Sequence, residues 1–488
     1  MNPLSDDTRP AEFPPGFLWG AATASYQVEG AAFEDGRTAS IWDTFSRLPG
    51  AVRNGDTGDV ACDHYHRMPA DVALLGELGF ASYRFSIAWP RVRPDGGAPN
   101  PAGLAFYDRL VDELLAHDVL PWVTLYHWDL PQTLEDAGGW LNRDTVERYA
   151  DYALTVHDAL GDRVRHWTTF NEPWCSAFLG YTGGQHAPGR TEGVAGVVAA
   201  HHLLLAHGRA VTEIRSRAPE HQLGITLNLT VAEPYDAADP GDVAAATRVD
   251  QLWNRVFLDP LLRGKYDDGL AAHTEGMTWR GRTWQEFVVD GDLELIGAPL
   301  DFLGVNYYHG DAPSTRAAST GRDLLGSRVA HPERPTRSPF PGGDDLVFPR
   351  RGLPVTGLDW EVQPEGLHRL LVELDRDYDL PPVYVTENGA AYDDVLGVDE
   401  TGAACVDDAE RVAFFDAHLR AVRAALADGV DVRGYFAWSL IDNFEWAYGY
   451  EQRFGIVYCD FATQRRIPKA SARYLARAAA ANRLPDVG

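Results

Sequence analysis

Residues 166–173 read HWTTFNEP, a β-rich run over His166–Phe170 followed by two polar residues and a proline. Seven comparable runs lie at Phe17–Ala21, Ser82–Ile87, Trp122–Tyr126, Leu223–Leu227, Phe302–Asn306, Val383–Thr386 and Gly434–Trp438. Most of the eight runs are near-continuous in apolar or aromatic residues. They are therefore typical of parallel strands that are covered on both faces.

Amphipathic stretches separate these runs. Pro69–Leu78, Leu104–Ala116 and Glu410–Leu426 carry apolar residues at helical spacing. Eight alternations of strand and helix predict an α/β fold, a single (β/α)₈ TIM barrel with long loops on its C-terminal face. An open, doubly wound sheet is the alternative. Chains with such a sheet usually carry a glycine-rich phosphate-binding turn near the N-terminus. Neither a GxGxxG turn nor a P-loop pattern occurs here.

The domain organisation follows from this pattern. We expect the barrel over residues 13–478, between a flexible N-terminal tail, residues 1–12, and a C-terminal tail, residues 479–488. Gly310–Thr356 is rich in Gly, Pro, Arg and Ser and has no clear period. After the sixth strand of a barrel it would be a long loop on the C-terminal face, where long loops tend to be functional. A disordered insertion explains its composition equally well.

The charge balance excludes some partners. The chain has 43 Lys and Arg against 71 Asp and Glu, a formal net charge of −28. Such a surface repels phosphate backbones and anionic headgroups, so we expect neither nucleic acid nor a membrane as partner. The four cysteines form no CxxC pair, and Met1–Pro15 lacks the basic start and apolar stretch of a signal peptide. These features predict a cytoplasmic protein.

Polar and aromatic residues collect where the runs end. In a (β/α)₈ barrel the C-terminal ends of the strands share one face, and reactive groups lie there. The residues at or near these ends include Gln27, Arg84, His127, Trp128, Asn171, Glu172, Asn306, Tyr308, Glu387, Trp438, Glu445 and Trp446. Folding needs alone do not explain this clustering, so we interpret this face as the functional site.

Two carboxylates in this set follow apolar strands directly, Glu172 after the fourth and Glu387 after the seventh. Either one alone is explained as well by a structural ion pair. Together on one barrel they match the pair that a glycosidase needs, one to protonate the departing oxygen and one to attack or to activate water. Arg84 beside them would keep one carboxyl ionised, and tryptophans at the strand ends would offer flat faces to a sugar ring.

Metal and serine chemistry are weaker readings of the sequence. His64 with His66, and His201 with His202 and His207, have no further ligand class at matching spacing, so structural histidines are favoured over a metal site. No GxSxG nucleophile elbow occurs. We expect neither a metal nor an organic cofactor.

At these residues the sequence resembles glycoside hydrolase family 1, the β-glucosidase family, from about Phe13 to Tyr474. The resemblance rests on five segments in the family's order: FLWGAATASYQVEG (17–30), YRFSI (83–87), TFNEP (169–173), VTENG (385–389) and AWSLIDNFEW (437–446). It implies that Glu172 is the acid/base and Glu387 the nucleophile. The resemblance thus implies which glutamate attacks and which donates the proton, whereas strand position alone leaves these roles open.

The resemblance implies roles for the remaining residues too. Arg84 and Tyr308 match partners of the nucleophile, and Asn171 matches the residue that holds the sugar 2-hydroxyl. The expected substrate-binding set is Gln27, His127, Trp128, Asn171, Asn306, Trp360, Trp438, Glu445, Trp446 and Phe454. Gln363 and Tyr448 depart from the family pattern or stand where it varies, which leaves rim and aglycone preferences open.

The expected function is a retaining, exo-acting β-glucosidase that also takes β-fucosides and β-galactosides. Retention predicts carboxyl groups roughly 5–5.5 Å apart. Because Glu445 would repel a 6-phosphate, the expected partners are small, unphosphorylated β-glycosides and oligosaccharides. A transglycosidase, a metal-dependent barrel hydrolase and a carbohydrate-binding pseudoenzyme are the rival hypotheses. The sequence leaves the oligomeric state open, as monomer or homo-oligomer.

Overall fold

Eight parallel strands close into a barrel in the computed structural model, which describes residues 12–316, 321–322 and 336–485. The strands are β1 Leu18–Ala22, β2 Ser82–Ser86, β3 Leu120–Tyr126, β4 His166–Asn171, β5 Gln222–Asn228, β6 Phe302–Asn306, β7 Val383–Asn388 and β8 Val432–Trp438. Each strand pairs with its neighbours in chain order, and β1 pairs with β8 to close the ring. The predicted (β/α)₈ barrel is confirmed.

The observed strands differ from the predicted runs by at most two residues at either end. The largest extension that concerns the site is at β7, which continues through Glu387 to Asn388. Backbone pairing does not stop at a polar residue whose side chain has partners: Asn388 donates to the Tyr307 carbonyl at 2.6 Å. The apolar pattern ends at Val385, so it placed the end of the strand too early.

Helices cover the outside of the barrel, and shorter turns carry its loops. The α-helices are Ser25–Val28, Ile41–Phe45, His64–Glu77, Trp89–Val92, Pro101–Ala116, Gln132–Asp136, Asp144–Leu160, Ala195–Arg217, Pro240–Asp250, Val256–Arg263, Asp268–His273, Asp292–Ile296, Pro364–Asp377, Ala409–Ala427 and Ala470–Ala481. The 3₁₀ turns are Arg53–Gly55, Pro94–Gly96, Gly139–Leu141, Trp284–Phe287 and Trp446–Tyr448, and two π-helical segments are Cys175–Gly183 and Gln251–Arg255. None of the described helices is long and apolar enough to cross a membrane.

An aromatic plug fills the lower half of the barrel. Trp122 is fully buried and makes edge contacts with Phe302, Tyr384 and Phe436, with ring centroids 4.8–5.2 Å apart. Its indole donates to Thr168 Oγ1 at 2.9 Å. This aromatic layer packs the interior of the barrel, as is usual for the fold.

The predicted C-terminal tail begins too early. The last helix runs to Ala481, and Asn482 then binds both the Phe13 backbone and the Trp19 indole, the latter at 3.0 Å. Ala478 is the last buried residue of the helix, but the chain still contacts the barrel through Asn482 and the buried side chain of Leu484. Of the predicted N-terminal tail, Glu12 alone lies within the described residues, where it pairs with Arg483.

The glycine- and proline-rich segment after β6 is folded where the structure describes it. Ser314 and Val347 exchange two backbone hydrogen bonds of 2.9 Å, and Gly321–Arg322 pairs with Phe348–Pro349. Buried Phe340 contacts the Trp174 ring, which lines the pocket. These flanks form a loop against the C-terminal face. The rest of the predicted loop, residues 317–320 and 323–335, lies outside the described residues. A separate hairpin joins Leu396–Val398 to Ala404–Val406, and a second joins Val457–Asp460 to Arg465–Pro468.

Candidate active site

A pocket of about 980 Å³ opens at the C-terminal end of the barrel. Part of this volume is open to solvent. Most of its wall is aromatic or apolar, and a few carboxyl, amide and imidazole groups converge on it. The lining residues are His127, Trp128, Glu172, Trp174, Cys175, Leu179, His186, Asn228, Leu229, Thr230, Trp253, Asn306, Tyr308, His309, Trp360, Glu387, Trp438, Glu445, Trp446, Tyr448 and Phe454.

The predicted partners of Glu387 both bind its carboxyl. Arg84 Nη1 donates to Oε1 at 2.7 Å, and the Tyr308 hydroxyl donates to Oε2 at 2.6 Å. Burial raises the pKa of Glu387, and the Arg84 charge and the Tyr308 hydrogen bond oppose that rise. Both donors stabilise the ionised form, which is the form that can attack an electrophilic carbon.

Glu172 occupies a different environment. It follows β4 with a φ of 46°, in the left-handed region that non-glycine residues rarely adopt. Backbone hydrogen bonds on each side hold it there: its own N–H donates to Thr226 at 2.9 Å, and the Cys175 N–H donates to its carbonyl at 3.0 Å. The turn aims the carboxyl into the pocket instead of along the strand.

The Glu172 carboxyl is contacted by an amide and a thiol. Asn306 Nδ2 donates to Oε1 at 2.7 Å, and Cys175 Sγ lies 3.3 Å from Oε2. Among the described residues no cation forms an ion pair with it. Burial, and then the negative charge of Glu387, raise the pKa of Glu172 to about 8. A buried carboxyl of this kind holds its proton near neutral pH and can act as a general acid.

Asn171 links the two carboxyl environments from below. Its Oδ1 accepts from Arg84 at 2.5 Å and from Asn306 at 3.1 Å, and its Nδ2 donates to His127 Nε2 at 3.0 Å. Burial and the nearby Arg84 charge hold the pKa of His127 well below its usual range, so the ring is neutral. Arg84 and Asn171 lie beneath the lining residues, and their contacts fix the side chains that do line the pocket.

A third carboxyl, Glu445, faces the same pocket from the loop after β8. Gln27 Nε2 donates to its Oε2 at 3.4 Å and to the Phe444 carbonyl at 2.8 Å. Burial, followed by the charges of Glu387 and Glu172, raises the pKa of Glu445 to about 8. Within the described residues Gln27 Oε1 has no hydrogen-bond partner. This corner thus offers hydrogen-bonding groups to ligand hydroxyls.

Aromatic rings form the rest of the predicted set. Trp128 and Trp446 pack with centroids 4.4 Å apart, and His127 stacks on both Trp438 and Trp446 at 20°. On the opposite side Trp360 lies 5.5 Å from the Tyr308 ring and 6.1 Å from that of Phe454. The structure therefore brings every predicted site residue to one pocket or directly beneath it.

Several lining residues were missed from the sequence. Asn228 ends β5, so the strand-end rule that selected the others would have found it. Trp253 stacks flat on Trp174 with centroids 4.0 Å apart, although the two lie far apart in the chain. His186 and His309 sit in loops. Nothing in the local sequence around these residues signals a place in the pocket, because helix packing and loop paths bring them there.

The histidines considered as metal ligands have other partners. His64 pairs with Asp71 at 2.8 Å, and His207 contacts the Thr169 hydroxyl at 2.7 Å. His201 contacts Tyr266 and Asp292, each at 2.9 Å. Across residues 12–316 and 336–485, no group of three or more His, Cys, Asp or Glu side chains is arranged to hold a metal ion.

Comparisons with known proteins agree with one another. The family model described as Glycosyl hydrolase family 1 matches residues 9–484. The chain is 50% identical to thermostable β-glucosidase B of Thermobispora bispora, over 96% of this chain and 90% of that protein. It is 48% identical to a bifunctional β-D-glucosidase/β-D-fucosidase of Bifidobacterium breve, over 94% of this chain and 96% of that protein.

Solved structures are similar over the same length. A psychrophilic β-glucosidase from Micrococcus antarcticus superposes with a TM-score of 0.92 at 52% identity, covering 97% of this chain and 98% of that one. A β-glucosidase from Thermotoga maritima in complex with noeuromycin superposes with a TM-score of 0.86 at 41% identity, covering 98% of this chain and 100% of that one.

Proposed function

The chain belongs to glycosyl hydrolase family 1, and on that premise we propose that Glu387 is the nucleophile and Glu172 the general acid/base of a retaining β-glucosidase. The enzyme is a glycoside hydrolase that removes terminal, non-reducing β-D-glucosyl residues. One observation carries the assignment of roles. Glu387 is bound by Arg84 and a tyrosine hydroxyl that favour its charge, whereas Glu172 has no cationic partner among the described residues and a pKa raised to about 8.

In the first step Glu387 attacks the anomeric carbon while Glu172 gives its proton to the departing glycosidic oxygen. The glycosidic C–O bond breaks, and an ester forms between the sugar and Glu387. Ester formation removes the negative charge of Glu387. That charge is one of the causes that raise the pKa of Glu172, so the carboxyl becomes acidic enough to remain ionised.

In the second step Glu172 acts as the base. It takes a proton from water, the resulting hydroxide attacks the anomeric carbon, and the ester bond to Glu387 breaks. Glu387 regains its charge and its two donors, and the pKa of Glu172 rises again. Two displacements at one carbon give net retention.

The sugar would bind between the polar corner and the tryptophans. Gln27, Glu445, His127 and Asn171 offer donors and acceptors to hydroxyl groups, and the Trp438 and Trp446 faces suit the C–H face of a pyranose. Because Glu445 has no cationic partner among the described residues, this corner favours an unphosphorylated sugar. A relative with both glucosidase and fucosidase activity supports β-fucosides as further substrates, and we extend the proposal to β-galactosides.

We place the enzyme in the cytoplasm. All four cysteines are free, a state that the reducing cytosol maintains. Cell fractionation with activity assays checks this assignment, and activity confined to the culture medium would contradict it.

The test combines trapping, stereochemistry and substitution. Mass spectrometry of the enzyme inactivated by a 2-deoxy-2-fluoro-β-glucoside should locate the sugar on Glu387, and NMR during hydrolysis should detect the β-anomer first. Aryl β-glucosides, fucosides and galactosides, together with cello-oligosaccharides, are then assayed with Glu387→Gly and Glu172→Ala. Glu410→Ala, at an exposed helical position, is the matched control. Initial release of the α-anomer, or a label on another residue, would overturn the assignment.

A further inference from the structure

The Cys175 thiol contacts the carboxyl of Glu172 from the pocket wall. Cys175 begins the π-helical segment Cys175–Gly183, three residues after Glu172. Its backbone N–H closes a turn onto the Glu172 carbonyl at 3.0 Å, and its Sγ lies 3.3 Å from Oε2. Because the same turn fixes both residues, the thiol is held against one particular carboxyl oxygen.

The other carboxyl oxygen of Glu172, Oε1, accepts a hydrogen bond from the Asn306 amide. Asn306 Nδ2 donates to Oε1 at 2.7 Å, while Asn306 Oδ1 accepts from the Thr386 hydroxyl at 2.8 Å, which fixes the orientation of the amide. An N–H group only donates, so Oε1 is an acceptor whether or not Glu172 is ionised. When Glu172 carries a proton, that proton therefore sits on Oε2, the oxygen that faces the thiol.

A thiol can serve Oε2 in both protonation states. It donates S–H to a carboxylate, and its sulfur accepts weakly from a carboxylic acid. Asn228 Nδ2 donates to the sulfur at 3.7 Å, which leaves the S–H free to point to Glu172. Burial and the negative charge of Glu172 hold the pKa of the Cys175 thiol well above its usual range, so it remains S–H and does not become a competing anion.

We propose that Cys175 is a positioning residue for the acid/base, keeping the proton of Glu172 on Oε2 and releasing it readily to the glycosidic oxygen. This inference rests on the proposed function of Glu172. Sulfur is a poor acceptor, so the glycosidic oxygen displaces it easily, whereas a hydroxyl or carboxylate at this position would hold the proton more tightly. The other titratable or charged groups that face Glu172 are Glu387, Arg84, Tyr308 and Glu445.

The first test is the pH dependence of kcat/KM in Cys175→Val, which keeps the bulk of the side chain and removes the donor. Losing a donor to the carboxylate disfavours the ionised form, so the alkaline limb should move up by roughly half a pH unit. The shift should appear with an alkyl β-glucoside, whose leaving group needs the acid. Cys405→Val, in the hairpin after β7, is the matched control and should not move the limb. A fall in activity at every pH with an unmoved limb would overturn the proposal.

The second test is spectroscopic and does not depend on turnover. The S–H stretching band of Cys175 is identified as the band that disappears in Cys175→Val. In the wild-type enzyme it should move to lower frequency as the pH rises through the titration of Glu172, because the thiol changes from acceptor to donor. In Glu172→Gln it should stay constant. A wild-type band that does not move with pH would overturn the proposal.

The same variants separate this inference from the proposed function. If Glu172→Gln retained wild-type activity and its alkaline limb, the acid/base assignment would fail and this inference with it. If Glu172→Gln lost both while Cys175→Val kept the wild-type limb, the role of Cys175 alone would be wrong.

Discussion

Two clusters of buried charge lie at the C-terminal end of this barrel, and they are built in opposite ways. The active-site cluster holds three carboxyls with one cation: Glu172, Glu387, Glu445 and Arg84. The loop-anchoring network lies behind β8 and holds three carboxyls with three cations: Asp394, Asp408, Asp442, Arg411, Arg453 and Lys469. Both are largely removed from water, so the difference lies in how their charges are matched.

The loop-anchoring network ties four separate segments together. Lys469 Nζ lies 2.7 Å from Asp442 Oδ1 and also pairs with Asp394, and Arg453 binds the other Asp442 oxygen at 2.7 Å. Arg411, in the helix Ala409–Ala427, pairs with Asp394 at 2.9 Å. Asp442 precedes by three residues the Glu445 that faces the pocket, so the network fixes the loop that carries this carboxyl.

The comparison shows what each arrangement is suited to. Removing a charged side chain from water is costly in free energy, and an ion pair with an opposite charge offsets that cost. The paired side chains are then held in place, because moving either one would leave a buried charge without its partner. Where partners are missing, a carboxyl relieves the cost by taking up a proton, as the raised pKa values of Glu172 and Glu445 indicate. A matched cluster therefore stabilises structure, and an unmatched one holds a transferable proton.

The largest expected effect is loss of the nucleophile. Glu387→Gly should lower kcat by at least about 10⁴-fold, because the variant lacks the carboxyl that we propose forms the glycosyl ester. Steady-state kinetics with an aryl β-glucoside measures this loss, with Glu410→Ala expected to match the wild type. Near-normal turnover in Glu387→Gly would contradict the proposal that the active-site cluster supplies the nucleophile.

Loss of the acid should depend on the leaving group. Glu172→Ala should lower kcat/KM by roughly 10²–10⁴-fold for an alkyl β-glucoside, which needs protonation, and far less for a dinitrophenyl glucoside, which does not. Azide should restore turnover of the dinitrophenyl substrate and yield β-glucosyl azide. An equal loss with both substrates would contradict the role of Glu172.

A substitution in the loop-anchoring network should lower the stability of the protein. Lys469→Met leaves buried Asp442 and Asp394 with one cation fewer, so the free energy of unfolding should fall by about 3–5 kcal/mol. Denaturant titration measures this, and Lys265→Met, at an exposed position, should stay within about 0.5 kcal/mol of the wild type. Equal stability of the two variants would contradict the view that the loop-anchoring network stabilises the fold.

The smallest effect sharpens the role of Tyr308. Tyr308→Phe removes a donor to the Glu387 carboxylate, so the pKa of Glu387 should rise. Activity needs Glu387 ionised, and the acid limb of kcat/KM should therefore move up by about one pH unit. The pH profile measures the shift, and Tyr235→Phe, at an exposed position, should leave it unchanged. An unmoved acid limb would mean that the hydroxyl does not favour the charged form.

Much of the site could be predicted from the sequence. Every apolar run became a barrel strand, and the strand-end rule together with five motifs selected residues that all lie in the pocket or beneath it. The reason is geometric, because parallel strands in a closed barrel bring their C-terminal ends to one face. A polar residue that ends a buried run is therefore visible in the chain before any contact is known.

The rest was decided by tertiary structure. The sequence by itself determined the barrel through its periodicity, and its motifs predicted the two glutamates and the role of each. It did not determine that Trp253 stacks on Trp174, that Leu484 is buried near the end of the chain, or that Cys175 contacts one oxygen of Glu172 while Asn306 binds the other. Such contacts join distant segments, or depend on a left-handed turn, and so the three-dimensional packing of the chain sets them. The excess of carboxyls around Glu172 is also a tertiary feature. Arg84, on another strand, pairs with Glu387, and no cation among the described residues pairs with Glu172.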